Sequence, residues 1–155
     1  MPAVFHPLPD AVAARYRAGG ADAYGLMPER RISDGQGVPC RHTLRLLPAG
    51  TPYLIVAHRP FTGLNPYTET GPIFLAADPQ PGATPSTALP PFLAAPRYIL
   101  RGYSEDERIV YGTGAVIDTA RIPEASETLL ARPGIAFLHI RSATNNCFHC
   151  RVERG

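Results

Sequence analysis

Hydrophobic and polar residues alternate most regularly near the end of the chain, between residues 136 and 153. Apolar residues occupy every second position from Ala136 to Ile140 and again from Phe148 to Val152. Most positions between them carry histidine, arginine or cysteine. Because a period of two is typical of a strand with one buried face, the pattern predicts an antiparallel hairpin of strands 136–142 and 147–153.

The register of this hairpin follows from keeping its apolar residues on one face. A three-residue loop, 144–146, places Ile140 opposite Cys150, whereas a two-residue turn mixes the two faces. Asn146 is then expected in the left-handed conformation, which asparagine tolerates.

The second face of the same hairpin defines the candidate site. In the preferred register His139 lies opposite Arg151, Arg141 lies opposite His149, and Cys147 lies next to them. The patch therefore holds two arginines, two histidines and a cysteine, with no carboxylate. We expect it to attract an anion and to favour the thiolate form of Cys147. The alternative is a solvated polar face whose arginines pair with carboxylates elsewhere in the sheet.

The rest of the pattern predicts an α+β fold, with a mixed, mostly antiparallel sheet of about six strands and two helices. A single domain is expected over residues 1–155. The helices are expected from Asp10 to Ala18 and from Pro123 to Arg132. The segment 78–96, which contains six prolines, is either a lid or a stiff connection between strands. The other predicted strands lie at 3–6, 30–33, 38–44, 53–59, 72–77, 97–103 and 108–118.

Charge and composition exclude several classes of protein. The net charge is +2, and the basic residues are all arginine and are spread along the chain, which argues against a dedicated nucleic-acid binder. The apolar runs are too short to cross a bilayer. The first ten residues lack the features of a secretory signal, so we expect a cytoplasmic protein with reduced thiols.

Four segments together resemble a bacterial family known as domain of unknown function 1203. They are GVPCRHTL at 37–44, YTETGPIF at 67–74, LRGYSEDERIVYGTGAVI at 100–117 and AFLHIRSATNNCFHCRVER at 136–154. The resemblance implies a small single-domain bacterial protein and implies no activity. The family pattern fits Cys40, Cys147 and Arg151 better than His149 and Cys150.

The cysteines and histidines also allow a metal site. If 38–44 is extended, Cys40-x-His42 and Cys147-x-His149 each place two ligands on one strand face, and together they form a Cys2His2 set of the kind zinc takes. The spacings are not those of a zinc finger, so no metal is predicted; these four residues are the alternative ligands if one binds, and the cofactor stays unknown.

Thiol chemistry is a further alternative. Cys147 and His149 have the residue types of a catalytic Cys–His pair. Cys147 and Cys150 spell C-x-x-C, but on a strand they point to opposite faces, so Cys150 is interpreted as a small buried hydrophobe. Cys40 is then the better thiol partner for Cys147.

Three interpretations follow. The first is a binding module for a small anion or an acidic partner, with His139, Arg141, Arg151 and Cys40 as ligand-binding residues. The second is a thiol- or metal-dependent enzyme centred on Cys147, with His149 as its base or ligand. The third is a protein without chemistry of its own, which works through a partner or as a homodimer.

Overall fold

Ten short strands and two helices form the fold, so the predicted α+β class is confirmed. The structure is a computed structural model that describes residues 1–155. Neither helix is long and apolar enough to cross a membrane. The strands are β1 (Ala3–His6), β2 (Glu29–Ile32), β3 (Pro39–Cys40), β4 (Arg45–Leu46), β5 (Pro52–His58), β6 (Gly71–Ala76), β7 (Arg97–Tyr103), β8 (Ala115–Asp118), β9 (Phe137–Ser142) and β10 (Phe148–Arg154), and the helices are α1 (Asp10–Arg17) and α2 (Ile122–Leu130).

The strands are divided among three sheets, and every pairing between them is antiparallel. A five-stranded sheet has the order β1-β10-β9-β7-β8, a three-stranded sheet has the order β2-β5-β6, and β3 pairs with β4. Each of the two larger sheets has its own core. Side chains of α2 pack in the core of the five-stranded sheet and those of α1 in the core of the three-stranded sheet.

The segment 38–44, which was expected to be one extended strand, is a short strand followed by a tight turn. β3 ends at Cys40, and the Leu44 N–H donates to the Cys40 carbonyl at 2.9 Å, with Leu44 at φ 56°. The expectation that Cys40 and His42 share a strand face is therefore wrong. Burial of the Leu44 side chain in the core of the five-stranded sheet stabilises this turn.

The predicted strand 108–118 is also interrupted. Ala115–Asp118 forms the regular ladder with β7, and Ile109 adds an isolated bridge to Tyr103. A turn at Val110–Thr113 separates the two, with Gly112 at φ 85°. The Gly102 N–H donates to the Thr113 hydroxyl at 3.0 Å, so a side chain takes the place of a ladder hydrogen bond at this point.

The proline-rich segment 78–96 is a connection that covers the edge of β1. Ser86 exchanges two backbone hydrogen bonds with Phe5, at 2.8 and 3.2 Å. Phe92 and Leu93 are buried in the core of the five-stranded sheet. The segment thereby covers a sheet edge that would otherwise expose unpaired backbone groups.

One carboxylate joins the two larger sheets. Glu69, which precedes β6, lies 2.6 Å from Nη2 of Arg101 on β7 and 2.5 Å from Nη2 of Arg141 on β9. The Arg141 side chain is 5% exposed, and burial lowers its pKa while Glu69 raises it. Removing one partner from such a group leaves a buried charge uncompensated.

We expect Glu69→Gln to lower the free energy of unfolding by about 2–3 kcal/mol, because it leaves two partly buried arginines facing each other. Urea unfolding monitored by circular dichroism measures the change. Asp118→Asn is the matched control, because it removes an exposed pair with Arg97 and should cost less than about 1 kcal/mol. Equal, small losses in both variants would show that Glu69 does not hold the sheets together.

Candidate functional site

The terminal hairpin has the predicted register in its body but not near its loop. Its observed pairs include Cys150 with Ile140, Arg151 with His139 and Val152 with Leu138, as expected. Closer to the loop the expectation is wrong, because Arg141 lies opposite Phe148 and not opposite His149. The register shifts between Phe148 and Cys150, so His149 is the extra residue of a β-bulge.

The hairpin loop is one residue longer than predicted, which matches the register shift in β10. The Ser142 N–H donates to the Cys147 carbonyl at 2.9 Å, and the Asn146 N–H donates to the Ser142 carbonyl at 2.9 Å. The loop therefore has four residues, 143–146, where three were expected. The left-handed conformation predicted for Asn146 is confirmed, with φ 57°.

The bulge divides the predicted polar patch between two faces of the sheet. Phe148 turns to the face of His139, where the two ring centroids are 4.8 Å apart, and it joins the core of the three-stranded sheet. His149 turns to the other face, with its ring 5.5 Å from Phe92 and 5.3 Å from Tyr98. A regular strand would have placed Phe148 and Cys150 in one core, whereas the bulge lets each fill a different core.

The two predicted anion-binding arginines have carboxylate partners, so the expectation of a patch without a carboxylate is wrong. Arg141 contacts Glu69, and its Nε also donates to Asn146 Oδ1 at 2.8 Å. Arg151 Nε lies 2.5 Å from Glu153 Oε1. The sequence could not show the first pair, because Glu69 reaches Arg141 from another sheet. The second pair was visible in the sequence, since Glu153 lies two residues from Arg151 and therefore on the same face of the strand.

A buried arginine that the sequence analysis did not single out lies beside the hairpin instead. Arg41 follows β3 and is 3% exposed. Its Nε donates to the Phe148 carbonyl and its Nη1 to the Pro39 carbonyl, both at 2.9 Å. No carboxylate lies within ion-pair distance of it. Burial lowers the pKa of Arg41 to about 10, and the nearby thiols of Cys147 and Cys40 oppose that shift.

Arg41, Cys147 and His149 line one cavity of about 420 Å³ between the hairpin loop and the three-stranded sheet. Tyr98 and Asn145 also line it. This volume is in the range of small-molecule sites. We refer to it below as the Arg41 cavity. The structure thus brings together both residues of the predicted Cys–His pair and adds a cation to them.

The chemistry available in the Arg41 cavity follows from its hydrogen bonds. His149 Nδ1 donates to the Cys147 carbonyl at 3.0 Å, since a carbonyl only accepts, and this leaves Nε2 as the acceptor. Burial lowers the pKa of His149 to about 3, so the ring is neutral at pH 7. The Cys147 thiol is half-buried and contacts the Asn145 carbonyl at 3.8 Å. The Cys147 thiol makes no hydrogen bond to His149, so the two residues line one cavity but are not arranged as a hydrogen-bonded catalytic pair.

The other predicted ligands lie elsewhere. The Cys40 sulfur is fully buried and accepts the N–H groups of Thr43 and Ala76 at 3.4 and 3.3 Å. His42 Nε2 lies 2.7 Å from Asp10 Oδ1. No group of three or more His, Cys, Asp or Glu side chains is arranged to hold a metal ion.

The three cysteines differ sharply in environment, and none forms a disulfide. Cys150 is fully buried, and burial raises the pKa of its thiol to about 12, which agrees with its interpretation as a small hydrophobe. Cys147 is the one thiol that is partly exposed. The only sequence signal for Arg41 was its position inside the apolar segment VPCRHTL, and such a signal does not distinguish a buried arginine from an exposed one.

Three buried histidines with lowered pKa values make the stability depend on pH. Burial lowers the pKa of His58 to about 4, that of His149 to about 3 and that of His139 well below its usual value. Between about pH 6.5 and pH 4 the unfolded chain therefore binds more protons than the folded one, so stability is lost as the pH falls.

We expect the free energy of unfolding to fall by about 2 kcal/mol for each of His58 and His149 between pH 7 and pH 5, from 1.36 kcal/mol per pKa unit, and His139 to add a loss of the same sign. Urea unfolding at the two pH values measures the difference. A free energy that is unchanged at pH 5 would show that the buried histidines take up protons in the folded state.

Comparison with known proteins identifies a family without an assigned activity. The family model described as "Protein of unknown function (DUF1203)" matches residues 37–154. The match includes Arg41, Cys147 and His149 and ends one residue before the end of the chain. No curated protein and no solved structure matches the chain. Because the family model covers most of the 155 residues, the chain belongs to the DUF1203 family of proteins of unknown function.

Proposed function

We propose that this protein is a small binding domain whose Arg41 cavity holds an anionic small molecule. The observation that carries the proposal is the buried guanidinium of Arg41, which is 3% exposed and has no carboxylate partner. An uncompensated buried charge is costly, so its retention calls for a counter-ion.

The surroundings of Arg41 favour a carboxylate or phosphate as that counter-ion. Two of its nitrogens are held by backbone carbonyls, which fixes the plane of the guanidinium. A fixed guanidinium recognises planar or multi-oxygen anions better than a flexible ammonium does. Arg141 lies on β9, just before the hairpin loop, and it shares the single carboxylate of Glu69 with Arg101. The positive charge near the loop therefore exceeds the negative charge.

The geometry also changes which residues are proposed to bind. Arg41, His149 and Cys147 replace His139, Arg141, Arg151 and Cys40 as the proposed ligand-binding residues. The size of the cavity, about 420 Å³, favours a small molecule over an acidic protein partner, because it is in the range of small-molecule sites.

A second candidate function is a thiol-dependent enzyme with Cys147 as the nucleophile. It is favoured by one observation, that Cys147 and His149 line the same cavity as a buried cation. A cation beside a thiol favours the thiolate, which is the reactive form. The interpretation as a partner-dependent protein or homodimer stays a prediction, and large apolar side chains near β2 are exposed: Tyr24, Leu26, Met27 and Ile32.

We expect inorganic phosphate to bind the purified protein and to raise its melting temperature, with the affinity lost in Arg41→Met. Isothermal titration calorimetry in a buffer without other multivalent anions measures the affinity, with acetate titrated in parallel. Arg45→Met is the matched control, since Arg45 is exposed and lies outside the cavity. It should bind as the wild type does.

Cys147→Asp tests the same proposal without removing the arginine. The new carboxylate would neutralise Arg41 from within the cavity, so this variant should bind phosphate at least about tenfold more weakly while its melting temperature rises. Phosphate binding that is unaffected in both Arg41→Met and Cys147→Asp would refute the anion site.

We expect iodoacetamide at pH 7 to alkylate Cys147 and to spare the buried Cys40 and Cys150 in the native protein. Peptide mass mapping of the alkylated chain measures the three rates. If Arg41 stabilises the thiolate, the rate at Cys147 should fall about tenfold in Arg41→Met and stay unchanged in Arg45→Met. Equal rates in the wild type and Arg41→Met would contradict the thiol-enzyme interpretation and leave phosphate binding as a separate result.

A further inference from the structure

The Arg41 cavity carries a positive charge that its own wall does not balance. Fourteen residues line the cavity, and none of them is aspartate or glutamate. Arg41 is 3% exposed, and its Nη2 makes no hydrogen bond within the chain but keeps some accessible surface. The His149 ring in the same wall is neutral at pH 7, because burial lowers its pKa to about 3. The cavity therefore offers a cationic N–H donor and no anion to pair with it.

Cys147 lies in the same wall, and its backbone is held in place. Its N–H donates to Ser142 Oγ at 2.9 Å, and its carbonyl accepts from the Ser142 N–H at 2.9 Å and from His149 Nδ1 at 3.0 Å. The thiol itself has one weak contact, 3.8 Å to the Asn145 carbonyl. A partly exposed thiol on a fixed backbone is available to an external reactant.

The surroundings of Cys147 suit thiol–disulfide exchange better than acyl transfer. A cysteine nucleophile in acyl transfer works with a base within hydrogen-bond reach, and the Cys147 thiol has no hydrogen bond to His149. Exchange needs only a thiolate and access to a sulfur–sulfur bond. The residues present therefore meet the requirements of exchange without any further group.

Exchange at Cys147 stops after its first step, because no second thiol is accessible. Cys40 and Cys150 have no solvent exposure, and each packs in the core of a different sheet. The Cys40 sulfur also accepts the backbone N–H groups of Thr43 and Ala76. A thiol must reach a mixed disulfide to resolve it, and a buried thiol does not. The product is therefore an adduct with the external molecule and not an internal disulfide.

We propose that Cys147 is a site of reversible thiolation, at which low-molecular-weight disulfides that carry a carboxylate form a mixed disulfide inside the Arg41 cavity. Arg41 selects the reactant, because a cation in a cavity without carboxylates raises the local concentration of anions. The carboxylate of the captured half then lies in the cavity as the counter-ion of Arg41.

The reaction needs no other oxidant. The Cys147 thiolate attacks one sulfur of the external disulfide, so that a bond forms between Sγ and that sulfur while the external sulfur–sulfur bond breaks. The Cys147 sulfur is oxidised, and the departing sulfur is reduced to the same extent. The departing half leaves as a thiolate and takes up a proton, which balances the proton that Cys147 lost. An external thiol reverses the exchange by the same route.

Thiolation regulates the anion site that was proposed above, and the inference rests on that proposed function. The captured group occupies part of a cavity of about 420 Å³ and places a carboxylate beside Arg41. A free anion then competes with a tethered one, whose effective concentration is much higher. Oxidised small thiols therefore close the site, and reduced ones open it again.

Two disulfides of similar size and opposite charge, dithiodipropionate and cystamine, test the inference. The reduced wild-type protein is treated with each at the same neutral pH, and peptide mass mapping measures the rate of adduct formation at Cys147. The ratio of the two rates is measured again on the same protein unfolded in urea. Dividing the native ratio by the unfolded ratio removes the intrinsic difference in reactivity between the two reagents.

We expect the native ratio in favour of dithiodipropionate to exceed the unfolded ratio at least about tenfold. Arg41→Met should bring the native ratio close to the unfolded one. Arg45→Met is the matched control, because it removes the same charge from an exposed position outside the cavity, and it should keep the wild-type ratio. Any effect of Arg41 on the thiolate fraction cancels in a ratio of two rates. The comparison of native with unfolded wild type decides the question even if Arg41→Met does not fold.

The second measurement is phosphate binding after modification. Calorimetry on the isolated propionate adduct should show at least about tenfold weaker phosphate binding than the reduced protein, and treatment with a reducing thiol should restore it.

Three results would overturn the inference: equal native and unfolded ratios, an internal disulfide in place of the adduct, or an adduct that binds phosphate as the reduced protein does. Phosphate binding by the reduced protein together with equal ratios would refute only this inference. A reduced protein that binds no phosphate would refute the proposed function itself.

Discussion

The single extra residue in β10 determines how this protein distributes its chemistry. Because His149 is bulged, Phe148 and Cys150 lie on opposite faces of the five-stranded sheet and each fills a different core. Without the bulge, Phe148 could not pack against the three-stranded sheet, and the contact between the two cores would lose an aromatic ring. Bulges are typical at sites where a strand must redirect a side chain.

The bulge also divides one predicted site into two. The cysteine and one histidine lie with Arg41 on one face, and the other histidine lies with Phe148 and Arg151 on the opposite face. Each face has a cavity, and the residues that line each include one whose polar group the chain leaves incompletely paired: a guanidinium without a carboxylate in one and an imidazole without a hydrogen bond in the other. A protein selected only for stability would be expected to remove both.

The ion pairs show that counting charged residues in the sequence does not reveal which of them have a partner of opposite charge in the folded state. Arg141 and Arg151 looked free within the hairpin, yet Glu69 and Glu153 pair with them. Arg41 looked like an ordinary arginine within a short apolar segment, yet it is a buried cation without a carboxylate partner. The neutral histidines add a further consequence, since their burial makes the fold less stable as the pH falls below about 6.5.

The sequence by itself determined the α+β class, both helices, the hairpin with Ile140 opposite Cys150, the left-handed Asn146 and the burial of Cys150. These features depend on neighbours within a few positions, so periodicity and turn chemistry encode them. Only the tertiary structure decided the division into three sheets, the bulge at His149, and the position of Arg41, whose Nε donates to a carbonyl 107 residues away. The reason is that a one-residue shift in strand pairing, such as the bulge at His149, costs little free energy locally. Whether it forms depends on which core the Phe148 side chain fills.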